Sequence, residues 1–549
     1  MAESYDVVVV GGGFSGISAL YELSKQSKAS QRYLLLENHA IFGGEAKQNE
    51  FEVDGQRLVA PQGSNSGAII QPDFARGVYG GGRYDVYADY WRELDMPSEF
   101  PLEPLAGGAE RYEIANDHYD PMVRESRYDV GYWFKGHGWV KNPMVDDFAR
   151  TPWPIETQRS LSDFVANRRD AITGRQDVDE WLDGMTYGAL LERLGYGLEA
   201  RRYIDPFIAV SNFGVCGDAI SAFAAKRLGL PGTIPSGEKS RFATRNPISF
   251  PGGNAAILRT MLSRIIPDAF IGGRSKPPVM EGQVNFGALD REDARVRIRL
   301  RATVTRVANV GNPERSEHAE LIYVRDGRLA KIRARAVVMA TGGWVNRRVV
   351  ADLPDQIRDA YGRFNYGPIL TANVAIRNWR FFDKLGFTVA RWFEGLGWHV
   401  CVRRNVANGA DARPLTPDSP IVLTFYIPFL HPGADPASQG ALGRQQLLET
   451  SYAIFEQQLR TCMTEMFGAA GFDARRDIAG IVLNRWGHAY LAPPPGFFFN
   501  KDAGGTVSDI IRMGHGRIIF AHSDLQGNMS MAHAMREGKR GALTAASML

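Results

Sequence analysis

The chain has 549 residues, 44% hydrophobic and 23% charged, enough to bury a sizeable core in about three or four domains. A formal net charge of +3 is too near neutral to argue for nucleic acid or an anionic membrane as a partner. Three cysteines, Cys216, Cys401 and Cys462, lie far apart without a CxxC, which argues against a disulfide framework or a zinc site and predicts a reducing compartment. A first strand at Tyr5 leaves no room for a cleavable leader, and no apolar run is long enough for a bilayer, so a cytoplasmic location and no metal are expected.

The opening stretch "YDVVVVGGGFSGISALYELSK" predicts a buried strand over Val7 to Val10, a glycine turn and a helix with Ile17, Leu20 and Leu23 on one face. Gly11, Gly13 and Gly16 fit G-x-G-x-x-G: a tight turn, a close backbone approach to pyrophosphate, and close helix-on-strand packing. The helix start, Phe14 and Ser15 included, directs free N–H groups and partial positive charge at phosphates. "RYLLLEN" then predicts a second strand ending at Glu37 and Asn38, where an acid meets a ribose hydroxyl pair. A bare pair, Gly43-Gly44, follows within "NHAIFGGEAKQNEF", trailed by Glu45, Ala46 and Lys47.

From about residue 84 to 244 aromatic stretches ("GYWFKGHGW", "TPWP") and helical ones ("TYGALLERLGY", "DAISAFAAKRLGL") predict an inserted substrate domain. A Pro-Gly-Gly turn at 251–253 precedes a helix, and "ARVRIRLRATVTRVANV" alternates as sheet, with Val304 a candidate cofactor contact. "KIRARAVVMATGGWV" is a strand running into Ala340, Thr341 and Gly342. Residues 360–480 mix strands such as "PIVLTFYIPFL" with one long amphipathic helix, "RQQLLETSYAIFEQQLRTCMTEMF". The C-terminal piece from "GRIIFAHSD" reads strand, loop, helix.

A G-x-G-x-x-G with an acid serves NAD and FAD equally. The glycine pair after Glu37, "VVMATGG" and "GRIIFAHSD" with its Asp524 resemble, in order, the motifs of the glutathione-reductase-type FAD proteins and their amine oxidase branch. "FGGEAKQNEF", "FPGGNAAI", "YGPILTANVAIRNWRFFDKLGF" and "NRWGHAY" together resemble the spermidine dehydrogenase family. That resemblance spans nearly the whole chain. It implies oxidation of a C–N bond by hydride transfer to flavin N5, with a haem b in some members. Two departures stand out: Glu45 occupies a position where the family leads one to expect His, and Met529, Met531 and Met535 lie near the presumed flavin helix where Gly and Tyr are expected. A methionine-lined site is softer and more apolar than one built for a polycation.

Hydride transfer asks little of side chains beyond positioning, a neutral amine and exclusion of water. His488 lies between Trp486 and Tyr490, which reads either as a base beside an aromatic cage or as an aromatic core strand. His522 and His533 read as flavin-edge partners or as solvated surface residues. "GWHVCVRRN" (397–405), which brings Trp398, His399, Cys401, Arg403 and Arg404 together, reads as an anion clamp or haem-propionate contact, or as a sheet edge with basic residues facing water. The lack of CxxCH excludes covalent c-type haem, though not a b-type one. "PGFFFN" would line an apolar tunnel, touch a membrane or pack in the core. Asp146, Asp147 and Glu394 are candidates for the negative field that a cationic amine requires.

The expected fold class is α/β: a Rossmann-like, glutathione-reductase-type FAD-binding domain (1–83, 245–350 and 481–549) with an inserted mixed α+β substrate domain (84–244 and 351–480). The expected protein is a FAD oxidoreductase taking a small amine, or an apolar molecule, with an unspecified electron acceptor and a homodimer among its possible states. The rivals are a FAD-dependent desaturase or isomerase of an apolar substrate, and a non-catalytic FAD-fold escort protein resembling Rab escort and GDP-dissociation-inhibitor proteins.

Overall fold

The structure, a computed structural model, describes residues 3–26, 30–70, 85–238, 247–272, 282–407, 412–501 and 504–549. Strand β1 (Glu3–Val10) alternates its valines between two cores, Val7 and Val9 on one side, Val8 and Val10 on the other. A strand buried on both faces reads as the continuous apolar run seen here. Helix α1 (Phe14–Gln26) follows, and β2 (Tyr33–Leu36) returns parallel to β1, with Val7 opposite Tyr33 and Val10 opposite Leu36. The sheet runs Thr303–Asn309, Ala319–Arg325, Arg328–Met339, β1, β2, Val296–Arg299. The short strand Ile518–Phe520 pairs in parallel with the end of Arg328–Met339. The C-terminal helix Met531–Ser547 packs on α1.

The second body is built on a three-stranded antiparallel sheet, with Asn365–Ile376 between Ile421–Pro428 and Ile478–Ala492, and on a four-stranded sheet that includes Val130–Phe134 and His399–Cys401. A hairpin, β3 (Gln48–Val53) and β4 (Gln56–Pro61), leads from the second glycine turn toward it.

Three expectations change. Ile478–Ala492 pairs with Asn365–Ile376 over nearly its whole length, so residues 481–492 belong to the second sheet and not to the dinucleotide-binding part. Helices Asp85–Glu93 and Asp355–Gly362 bury Tyr87 and Trp91, and Ile357 and Tyr361, in the cores flanking the first sheet, so they also cross the expected division. The expected boundaries at 83/84 and 244/245 lie outside the described residues. The single long helix is in fact two, Gln439–Glu449 and Tyr452–Phe467, because Ser451 adopts extended backbone and its hydroxyl caps the second by accepting from the Ile454 N–H. Among the described residues no helix is long and apolar enough to cross a membrane.

Candidate active site

The two glycine turns are stacked on one another. The Gly11 N–H donates to the Leu36 carbonyl at 2.8 Å, tying the first turn to β2, and the Gly43 N–H donates to the Gly12 carbonyl at 2.8 Å, tying the second turn to the first. Gly43 and Gly44 have φ of 129° and 57°, backbone that side chains rarely adopt, and a Cβ on Gly44 would stand 3.1 Å from the Gly13 Cα. Two bare turns in contact leave a backbone surface that a dinucleotide can follow.

Glu37 is buried at the end of β2. Its carboxylate accepts from the Gly12 N–H at 2.7 Å and from both the backbone N–H and the ring of His39 at 2.8 Å. Burial pushes this carboxyl up, but the bonds from His39 and Gly12 outweigh it and hold the group below its ordinary value. His39 has no motif signature, and sequence reasoning passed over it.

A cavity of about 320 Å³ begins at this cradle. Of the expected cofactor contacts, Gly13, Phe14, Ser15, Gly43, Glu45, Ala46, Ala340, Gly342, Asp524 and Met531 line it. Gly11, Gly16, Glu37, Asn38, Gly44, Val304 and Thr341 do not; they frame the turns and strand ends behind it. Asn38 is exposed, Val304 packs on a core, and Thr341 Oγ1 donates to Asn346 Oδ1 at 2.6 Å.

Asp524 is the buried hub of the far wall. It accepts from the Gly343 N–H at 2.9 Å and the Tyr366 hydroxyl at 2.6 Å, with His522 Nδ1 at 3.3 Å. Burial raises its carboxyl, yet the His522 charge and these bonds hold it low. His522 and His533 are both buried, which overturns the surface reading of each: His522 meets the Tyr361 hydroxyl at 3.0 Å and His533 Nδ1 meets the Asn528 carbonyl.

The three aromatic-strand candidates part company. Trp486, His488 and Tyr490 would share one face of a regular strand, but the register shifts between Gly367 and Ile369, opposite this segment, where Pro368 has no N–H to give. Tyr490 lines the cavity. His488 does not: it stacks on Trp344 with ring centroids 4.3 Å apart, and burial together with Arg444 and Arg348 pushes its ring down to about 4. Trp486 does not line the cavity either. Its indole N–H donates to the Gln62 carbonyl at 2.8 Å and so holds the loop Gly63, Ser64, Asn65, Ser66 that does.

Residues that no motif revealed complete the chamber: Asp117, Tyr119, Asp120, Phe207, Ser211 and Asn212. The π-helical turn Ala209–Phe213 presents the Val210 carbonyl, which accepts from the hydroxyls of both Tyr490 (2.9 Å) and Tyr119 (3.2 Å). Such turns recur at functional sites, and a turn signature without an apolar period could not have announced this one. Met529 and Met531 line the cavity, whereas Met535 is wholly in the core.

Other expectations fall away. Trp398, His399, Cys401 and Arg403 are buried, so "GWHVCVRRN" is no solvated edge; Arg403 donates to Asn65 Oδ1 at 3.3 Å. Asp147 accepts from Ser162, Asp146 pairs with Arg150, and Glu394 is exposed, all away from the cavity. Of the alternatives for "PGFFFN" core packing is the one that holds: Phe497 and Phe498 pack in cores, and the Phe498 and Phe499 N–H groups donate to Asp183.

This combination, a mixed but mostly parallel sheet with a glycine cradle and a second sheet closing a cavity over it, defines a dinucleotide-binding fold of the Rossmann-like kind. Residues 9–65 match the NAD(P)-binding Rossmann-like domain family. None of the curated proteins matches the chain in sequence. Among solved structures, wild-type putrescine oxidase bound to putrescine is similar over 100% of both chains, at 15% identity and a TM-score of 0.59. A triple mutant of that enzyme gives 0.61 at 15% identity, again over 100% of both chains. Cyclohexylamine oxidase from Brevibacterium oxydans IH-35A gives 0.58 at 16% identity over 99% of each chain. The chain therefore has the fold of the amine oxidases.

Proposed function

We propose that the protein is a FAD-dependent oxidoreductase that oxidises a small amine at its C–N bond. The observation that carries this reading is a single cavity whose one end is a dinucleotide cradle (Gly13 to Ser15, Gly43, Ala46, Asp524) and whose other end is an aromatic chamber walled by Tyr119 and Tyr490, with Glu45 between them. FAD, when bound, supplies the two-electron acceptor that takes hydride from the carbon bearing nitrogen.

The residues present suit that group. The cavity wall carries polar atoms with no partner among the described residues, Ser211 Oγ, Asn254 Oδ1, Asp524 Oδ1 and Asn528 Oδ1, and a ligand rich in donors and acceptors would satisfy them. Glu37 would hold ribose hydroxyls, the α1 N-terminus the pyrophosphate, and the Asp524 wall the ribityl region. Glu37→Ala should lower FAD affinity by about 10- to 100-fold, the worth of charge-assisted hydrogen bonds, read by quenching of flavin fluorescence on titrating apoprotein.

The finer placement in a spermidine dehydrogenase-like branch rests on the motifs quoted above, and Glu45 marks its departure. Three free thiols suit the cytoplasm. The second reading, a desaturase or isomerase of an apolar substrate, is favoured by Met529 and Met531 on the cavity wall.

One spectrum and one titration test the proposal. Purified protein should show flavin bands. Cyclohexylamine or putrescine added without oxygen should bleach them, and a lipid-like polyene should not. Bleaching by the polyene alone would hand the case to the desaturase. Protein that neither carries nor takes up flavin would be a binding protein, and a Soret band would add haem b. Reoxidation by oxygen against an artificial dye then separates oxidase from dehydrogenase.

A further inference from the structure

Glu45 stands directly after the Gly43-Gly44 turn, and its carbonyl accepts from the Ser64 N–H at 3.0 Å. That bond pins the backbone between two segments that both line the cavity and leaves the side chain to reach into it. The other carboxylates on the wall are engaged. Asp117 accepts from Ser249 Oγ at 2.7 Å and from the N–H groups of Tyr119 and Asp120; Asp120 is held by Arg124 and Tyr128; Asp524 accepts from Gly343 and Tyr366. Among the described residues Glu45 is the cavity carboxyl with neither oxygen in a hydrogen bond; burial and the charges of Asp524 and Lys47 are what act on it.

Resting on the amine-oxidising reading above, we infer that Glu45 is the residue that receives the substrate's ammonium group and takes its proton before the C–H bond is broken. The step balances as R2CH–NH3+ plus Glu45–COO− giving R2CH–NH2 plus Glu45–COOH. One N–H bond breaks, one O–H bond forms, and the electron pair stays on nitrogen as the lone pair that C–H cleavage requires. Where a bound amine and Glu45 are both buried, the neutral pair is favoured over the ion pair, because burial penalises both charges.

The surroundings adapt the carboxyl to this exchange. Burial first, then the Asp524 charge from the facing wall, push Glu45 up to about 8, and Lys47 on its own turn only partly opposes them. The Lys47 ammonium is itself pushed down by burial, against the pull of Glu37 and Glu45. Tyr490, from the long strand, is pushed up by burial and by Glu45, so it stays a neutral phenol throughout. Against an alkylammonium near 10.4, the gap to cross falls from about 6 units for an ordinary carboxyl to about 2.

The test is the anaerobic rate of flavin reduction by cyclohexylamine from pH 6 to 10 in the wild type, Glu45→Gln and Glu45→Asp, with the FAD affinity of each apoprotein measured alongside. The carboxylate is the competent form, so the wild-type rate should rise with pH through about 8. Glu45→Gln should lose that limb, follow only the free-amine fraction and fall about 10²-fold at pH 8, the usual worth of a positioned base. Glu45→Asp should keep the limb, and FAD affinity should be unchanged in both. A limb that persists in Glu45→Gln, or a loss of FAD affinity in both variants, would overturn the inference and give Glu45 to the cofactor. If wild-type flavin is not bleached by any amine, the amine reading itself fails and takes this one with it.

Discussion

Gly16→Ala is expected to give protein that retains no dinucleotide and unfolds early. A Cβ at this position would lie 1.8 Å from the Gly11 carbonyl oxygen, inside the backbone of the same turn, where no flexible side chain can yield. To accommodate it α1 must move away from β1. That motion separates the Gly12 N–H from Glu37 and the Gly43 N–H from the Gly12 carbonyl, bonds that now stand at 2.7 and 2.8 Å. Overpacking of this kind costs about 1–3 kcal/mol even where some relaxation is possible, and here it also displaces the helix N-terminus from the pyrophosphate site. Flavin content after purification and a thermal melt, with and without added FAD, read both effects. A variant that melts like the wild type and binds FAD normally would show that the turn has slack the structure does not reveal.

The second large effect lies away from the cavity. Glu537 on the C-terminal helix is 1% exposed, and its carboxylate collects Arg512 at 2.8 Å, Arg540 at 2.8 Å and Gln526. Arg512 comes from the helix Val507–Arg512 and Gln526 from the turn that carries Asp524, so one acid fastens three elements behind the far wall. Glu537→Ala should destabilise by about 3 kcal/mol, the low end for a broken buried pair because both guanidinium groups remain about a quarter open to water. Although burial raises this carboxyl, Arg512 and Arg540 hold it below the ordinary 4.5. A carboxyl depressed in the folded state stabilises above its unfolded value, and that contribution is lost as pH falls through the folded one. Urea unfolding should therefore separate variant and wild type clearly at pH 7 and bring them together in acid. An equal gap at both would show that lost packing, not charge, sets the cost.

The dinucleotide-binding half was legible because its determinants are local. Gly11 to Gly16 and Glu37 act within one strand–turn–helix–strand unit, and periodicity together with glycine mechanics describes such a unit well. Of the chamber only Tyr490 was legible. Tyr119, Ser211 and Tyr490 are far apart in the chain and meet only through the second sheet and a π-helical turn, so no window of sequence contains them. Local reading also failed where tertiary burial overrode pattern: His399 and Cys401 sit inside, although Arg403 and Arg404 close by suggested a wetted edge. Trp486 is the intermediate case. The sequence points to its ring, and the structure uses its indole N–H to hold a loop.

The shared Val210 carbonyl has a consequence for what the chamber can hold. With both tyrosine hydroxyls tied back to the main chain, Tyr119 and Tyr490 offer the interior hydrocarbon ring surface rather than phenolic oxygen. The side beside the glycine turn offers Glu45. The vessel is thus greasy along one wall with a carboxyl at one corner, and on the amine-oxidising reading a guest with a cationic head and a hydrocarbon body would lie head-first toward that corner. A guest charged at both ends would have to leave its second charge against rings or carry it out to water.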